Sequence, residues 1–212
     1  MTRSVATRSR TSPLAASDEL ALRSALSRLG LTDPEAIAQG LSLFHARVLA
    51  RGEYLLRSGE YATLAGVLVA GLLREHFVTE RGVVRTKSFV TSLQFTGSLA
   101  DLLSGKPSQA FIVAEETSRV VLAPYAELRR LEAVWPAWAA AARRSLEHLL
   151  LDKTERERQF MCLDAEARYA AFLERHPHIE VSVAASHIAS YLAITPVHLS
   201  RLRARRARAR KR

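Results

Sequence analysis

The 212-residue chain has a single cysteine, Cys162. No intramolecular disulfide, four-cysteine zinc site or cysteine-ligated cluster can therefore form within one copy, and a reducing, cytoplasmic setting is expected. Long apolar runs are missing too. The longest, LAGVLVAGLL at Leu64–Leu73, is about half the roughly 20 residues a bilayer-spanning helix needs, so no membrane segment is read. The opening MTRSVATRSRTSPLAAS has no apolar stretch and is not a secretory signal. Its Arg and Ser content is shared by transit peptides, but residues 1–16 read as a disordered arm. The chain contains no glycine-rich phosphate loop ending in Lys-Ser/Thr, no HExxH and no GxSxG. No enzyme activity, metal or cofactor is expected from motifs.

Acidic residues are absent from both ends, and this shapes the charge distribution. The formal net charge is +10, from 31 Lys plus Arg against 21 Asp plus Glu. The last twelve residues, RLRARRARARKR, hold eight of the basic groups, and Arg3, Arg8 and Arg10 hold three more. Residues 11–200 keep 20 basic against 21 acidic side chains, a net of −1. A tail of this density binds phosphate surfaces in a salt-dependent way and without sequence preference.

At 48% hydrophobic and 25% charged residues, the chain can build a sizeable core in one or two domains. From Ser17 to about His45, Leu20, Leu22, Leu26 and Leu29, then Ile37, Leu41 and Phe44, recur at helical spacing. Asp33-Pro34 reads as an N-cap followed by proline at the first helical position, so two lead-in helices meet there. After Val48, glycines at Gly52, Gly59, Gly71, Gly82, Gly97 and Gly105 separate short Val-, Ile-, Leu- and Phe-rich segments. This predicts a closed antiparallel β unit over about 46–124. From Tyr125 to Leu163 there is no glycine, and a long helix is expected from Trp135-Pro136 onward. Its stripe of Trp138, Ala142, Leu146, Leu149, Lys153, Arg156 and Phe160 has roughly coiled-coil spacing, so pairing with a second copy is expected. Asp164 then caps a short helix that stops at Pro177.

The most specific signal is ASHIASYLAITPVHLSRLR, Ala185–Arg203. A helix-turn-helix needs a small residue where its helices touch, a tight turn four residues later, and apolar residues locking helix on helix. Ala189 is the small residue and Ala193 falls at the turn. Ile188, Leu192, Ile194, Leu199 and Leu202 fill the apolar positions, while Thr195-Pro196 starts the second helix. That helix, about 196–205, would present Pro196, Val197, Ser200 and Arg201 to a major groove, with Arg201 suited to a guanine edge and Val197 to a thymine methyl. Ser186, Thr195, His198, Arg203, Arg205 and Arg206 complete the expected DNA-binding set, with His198, Arg203 and the basic tail reaching phosphates rather than bases. An ordinary helical hairpin is the alternative, but it has no reason to continue into an arginine-rich end.

With lead-in helices, a β-roll, a long helix and EARYAAFLERHPHIEVSVAASHIASYLAITPVHLSR at Glu166–Arg201, the chain resembles the Crp/Fnr transcription regulators over about residues 40–206. The resemblance is densest at the C-terminus. It implies an α+β chain: a cyclic-nucleotide-binding-like antiparallel β-roll, a long dimerisation helix and a C-terminal helix-turn-helix (winged-helix-like) domain. The expected division is an arm at 1–16, lead-in helices and β-roll at 17–124, the long helix at 125–163, the DNA-binding domain at 164–206 and a basic tail at 207–212. The partners implied are double-stranded DNA, a second copy of the chain, RNA polymerase and a small-molecule effector. Recognition helices of the dimer would enter successive major grooves about 34 Å apart. An effector would act by shifting an equilibrium through the long helix.

Two departures from the family stand out. Its turn glycine is Ala193 here, which costs on the order of 1 kcal/mol if that residue is left-handed. Members that bind cyclic AMP use a Glu on the ribose and, ten residues on, an Arg on the cyclic phosphate. Aligning Phe95–Phe111 on its glycine, proline and Ala110 puts Ser98 and Ser108 at those positions. Gly97, Ser98, Leu99, Ser108, Gln109 and Ala110 are thus the effector-pocket candidates. Without the arginine, cyclic AMP binding in the usual mode is not expected.

The cysteines of the oxygen-sensing branch are missing, and a haem ligand would have to come from His45 or His76, although lone histidines are more often packed or surface residues. His176, His178, His187 and His198 lack zinc spacing and read as solvated or phosphate-facing. Trp135 and Trp138 read as packing between the long helix and the β-roll. Asp152–Arg158 reads as a solvated, ion-paired face, and Cys162 as buried and inert. The competing functions are a β-roll sensor of a small molecule or protein with a non-specific basic anchor, and an enzyme on a small barrel.

Overall fold

The structure, a computed structural model, describes residues 11–209. Of the segment expected as an arm, residues 1–10 lie outside the described residues. Thr11–Ser12 (β1) pair antiparallel with Arg47 and Ala46, and a helix begins at Ala16. In that helix, α1 (Ala16–Arg28), the Asp18 carboxylate accepts the Ala15 N–H at 2.9 Å, while Leu22, Ala25 and Leu26 form the buried face. Helix α2 (Pro34–Leu41) starts as its sequence predicts: the Asp33 side chain accepts the Glu35 N–H at 3.0 Å, and proline takes the first position.

The strands that follow are β2 (His45–Leu49), β3 (Tyr54–Leu56), β4 (Leu64–Ala70), β5 (Leu73–Val78), β6 (Val84–Val90), β7 (Phe95–Thr96), β8 (Ala110–Ala114) and β9 (Ser118–Pro124). A six-residue helix, α3 (Leu99–Ser104), interrupts them. They form a five-stranded sheet in the order β1-β2-β9-β4-β7 and a four-stranded sheet in the order β3-β8-β5-β6. This is the antiparallel β unit the glycine spacing predicts. Leu49, Leu56, Leu68, Leu73, Ile112, Val120 and Leu122 form one of its cores.

The chain then runs into α4 (Tyr125–Val134) and α5 (Pro136–Cys162). The break falls at Trp135, whose extended backbone (φ −113°, ψ 105°) is what a residue before proline prefers. Trp138 is the packing residue its position suggests. Its ring stacks on Phe44, and its indole N–H donates to the Ala36 carbonyl at 2.7 Å. Gly40 makes room for it, since a Cβ there would lie 2.2 Å from the indole. Among the described residues no helix is long and apolar enough to cross a membrane.

Two compact units emerge. One is Met1–Glu75 with Phe89–Ser145; the other is His76–Ser88 with Leu146–Arg212. The second therefore combines the hairpin tip, turned through Gly82 at φ +76°, with the later part of α5 and four helices. These are α6 (Ala165–Arg175), α7 (Ile179–Ser182), α8 (Ala185–Tyr191) and α9 (Pro196–Ala209). Asp164 caps α6 by accepting the Ala167 N–H at 2.8 Å. The basic stretch from Arg201 continues α9 as far as Ala209.

Candidate nucleic-acid interface

Ile188, Ala189, Leu192, Leu199 and Leu202 are all buried, as a helix-turn-helix requires, and Ile194 is half-buried. Between α8 and α9, Ala193 takes φ +54°. The Ile194 N–H reaches back to the Ala189 carbonyl at 3.0 Å, and the Ala193 N–H to Ser190 at 3.2 Å. Those two bonds end α8 in a Schellman motif, which explains why the turn needs a left-handed residue. Thr195 caps α9, its hydroxyl accepting the His198 N–H at 3.1 Å.

Packing Leu199 and Leu202 inward turns the other side of α9 to solvent. Pro196, Val197, Ser200, Arg201, Arg205 and Arg206 are exposed, and Val197 keeps 62% of its surface. Ser186 is exposed on α8, and His198 is half-buried. Arg203, half-buried, makes a contact within the chain. Its guanidinium donates to the Glu180 carboxylate at 3.2 Å and to the Glu180 carbonyl at 3.1 Å. Tyr169 donates its hydroxyl to the same carboxylate, and burial, then that carboxylate, push its pKa up to about 12. Arg203 thus ties α9 to α6 and α7. Arg205 meets Glu166 at 3.5 Å with both side chains about two-thirds exposed, a contact too solvated to hold it.

Several residues depart from their sequence-based expectations. His176, expected to be solvated, is 7% exposed and packs against Phe172 and Tyr191. Burial, then the nearby Arg175 and Arg156 charges, pull its pKa down to about 4, so it is neutral. Cys162, expected to be buried, is exposed at the end of α5. The α5 stripe also divides: Trp138 is buried in a core, whereas Leu146 and Phe160 are exposed, as are Leu150 and Leu151 beside the stripe. Periodicity alone cannot separate a face used within the chain from one left open.

Arg156, expected on a solvated face, is instead half-buried. Its guanidinium donates to the Tyr191 carbonyl at 2.9 Å and lies 3.8 Å over the Tyr191 ring. Arg168 donates to the Leu192 carbonyl at 3.3 Å, so two arginines satisfy carbonyls at the C-terminal end of α8. Sequence reasoning missed both, together with Ser190 and Glu180. Charged and hydroxyl side chains on helices carry no periodic mark of an inward role.

In the other unit, Gly97 and Ser98 line a cavity of about 230 Å³ with Leu55, Leu56, Glu60, Tyr61 and Ile112. Leu99, Ser108, Gln109 and Ala110 do not line it. Ser108 is buried, donating its hydroxyl to the Asp101 carboxylate at 2.6 Å and accepting the Ala110 N–H at 3.0 Å. Gln109 is exposed. Among the described residues, no three His, Cys, Asp or Glu side chains are arranged to hold a metal.

No protein-family model matches the chain, and no curated protein is similar to it. Solved structures are. FixK2 from Bradyrhizobium japonicum superposes with a TM-score of 0.68 at 17% identity, covering 76% of this chain and 82% of that one. The cyclic-di-GMP-responsive global regulator CLP of Xanthomonas campestris gives 0.66 at 16% identity, covering 84% and 93%. A chain from Eubacterium rectale, described as a transcriptional regulator of the Crp/Fnr family, gives 0.65 at 15% identity, covering 81% and 82%. With its lead-in helices, two antiparallel sheets, long helix and helix-turn-helix, this chain has the fold of the Crp/Fnr regulators.

Proposed function

We propose that the protein is a sequence-specific DNA-binding transcription regulator of the Crp/Fnr type. The observation that carries this is the exposed Arg201 face of α9, set on a Schellman turn and continuing into a cationic end that contains no acidic residue. Arg201 offers two parallel donors to a guanine edge, and Val197 offers an apolar contact for a thymine methyl. Ser186, the Thr195 end of α9, Arg205 and Arg206 lie against phosphates, which set register but carry no sequence information.

The active species is a homodimer on a two-fold symmetric operator. The exposed Leu146 and Leu150, one turn apart on α5, support pairing through that helix, because leucines 44% and 64% exposed gain from burial against a second copy. RNA polymerase is the partner downstream. Cyclic AMP in its usual mode is not an effector: at the position of the family's phosphate-binding arginine, the Ser108 hydroxyl sits on the Asp101 carboxylate, which repels a cyclic phosphate.

The test separates groove from tail. On a fixed operator, Arg201→Ala is expected to remove about 1–3 kcal/mol of preference at one base pair. Deleting residues 205–212 is expected to weaken all sequences alike and to reduce the salt slope. Loss of preference on deleting the tail alone would refute the groove assignment.

A further inference from the structure

Strand β6 ends the order β3-β8-β5-β6, so among the described residues one of its edges has no partner strand. Unpaired edge groups need partners or water. At Val84–Thr86, which belong to the same unit as α8 and α9, those partners are side chains. The Ser190 hydroxyl accepts the Thr86 N–H at 2.8 Å and donates to the Val84 carbonyl at 2.9 Å. A single hydroxyl thereby satisfies a donor and an acceptor of the strand edge at once, using its one proton and one of its two lone pairs. The Arg156 guanidinium adds a longer bond to the Thr86 carbonyl at 3.4 Å while holding the Tyr191 carbonyl at 2.9 Å.

Ser190 and Tyr191 are the last two residues of α8, and the Ser190 carbonyl accepts the Ala193 N–H that closes the turn into α9. The hairpin contact therefore acts on the residues that set the direction of the recognition helix. It also leaves that helix open, because Val197, Ser200 and Arg201 remain exposed with the contact in place. A contact that orders the turn and spares the reading face favours DNA binding.

We infer that Ser190 and Arg156 are positioning residues for DNA recognition, hooking the open edge of β6 to the end of α8 so that the turn and the recognition helix are held ready for the groove. This rests on the DNA-binding function proposed above. Neither residue touches DNA in this account: Ser190 acts through the turn, and Arg156 through Tyr191 and Thr86.

The experiment uses the full chain with two readouts, amide exchange and operator affinity. In Ser190→Ala, the Thr86 and Ile194 amides are expected to exchange about tenfold faster, and operator binding to weaken about tenfold with an unchanged salt slope. Ser190→Thr, which keeps the hydroxyl, is expected to restore both. Arg156→Lys, which keeps the charge but loses the fork, is expected to follow Ser190→Ala in direction. Faster exchange at Thr86 with unchanged exchange at Ile194 would overturn the inference, whatever the DNA result. So would unchanged operator affinity in a variant whose Thr86 amide has been released. If the native chain bound no preferred DNA at all, the proposed function would fail, while the Ile194 exchange would still decide whether the hook orders the turn.

Discussion

Ile194 donates its backbone N–H to the carbonyl of Ala189 at 3.0 Å, across a turn in which Ala193 is held at φ +54°. An L-residue in the left-handed region carries a Cβ clash that glycine lacks. Ala193→Gly is therefore expected to stabilise the protein by about 1 kcal/mol, partly offset by the added freedom of glycine in the unfolded chain. Urea unfolding checks this. A higher midpoint is expected with an unaltered slope, and a lower midpoint would show that the alanine is not strained.

Asp18 and Arg119 make the second linkage open to test. Both carboxylate oxygens of a fully buried Asp18 accept from the Arg119 guanidinium, joining α1 to β9, and one of them also accepts the Ala15 N–H. The Arg119 hydrogen bond holds the Asp18 carboxyl below its ordinary pKa, against the opposing effect of burial. Asp18→Asn would leave the guanidinium without its charge partner, and about 2 kcal/mol of destabilisation is expected, below the range for fully buried pairs because Arg119 is one-third exposed. A group with a lowered folded pKa contributes stability above its unfolded value and loses it as pH falls through the folded one. The variant should therefore also lose part of the acid-side slope below about pH 4.

His176 titrates in a separate window. Its folded pKa of about 4 lies below the ordinary 6.5, so the unfolded chain takes up the proton first. Its contribution is complete above about pH 6.5 and declines as pH falls toward 4. Between pH 6.5 and 5 the loss is expected to be on the order of 1–2 kcal/mol. Thermal melts of His176→Phe should be flatter over this range. An unchanged slope would show that another group is responsible.

The pairing through α5 proposed above makes its own prediction. Leu146→Glu with Leu150→Glu places two charges on the exposed face and is expected to give a monomer by sedimentation, with little effect on the core because both leucines are already open to solvent. A dimer that survived the change would move the interface elsewhere.

The architecture was legible in the sequence because its cues are local. Glycine spacing announced the strands, Asp33-Pro34 started α2, Trp135-Pro136 started α5, and the Ala189/Ala193 pattern marked the turn. The contacts between distant segments were not. Nothing local distinguishes Arg156, inside a run of charges, from its solvated neighbours, and its inward role depends on Tyr191 and Thr86, 35 and 70 residues away. The Arg203 contact went unread for the same reason: its partner Glu180 lies 23 residues away across a helix packing that a single sequence does not display. Cys162 and His176 exchanged their expected environments because burial at a helix end depends on what packs over it.

Selection of binding sites from a random duplex library, at about 0.15 M salt where purely electrostatic binding is already weakened, tests the central claim most directly. The account predicts recovery of a two-fold symmetric site whose half-sites are about one helical turn apart, with a preference that Arg201→Ala relaxes at one base pair in each half. Recovery of unpatterned sequence by this chain would contradict it and leave the basic end as a generic polyanion anchor.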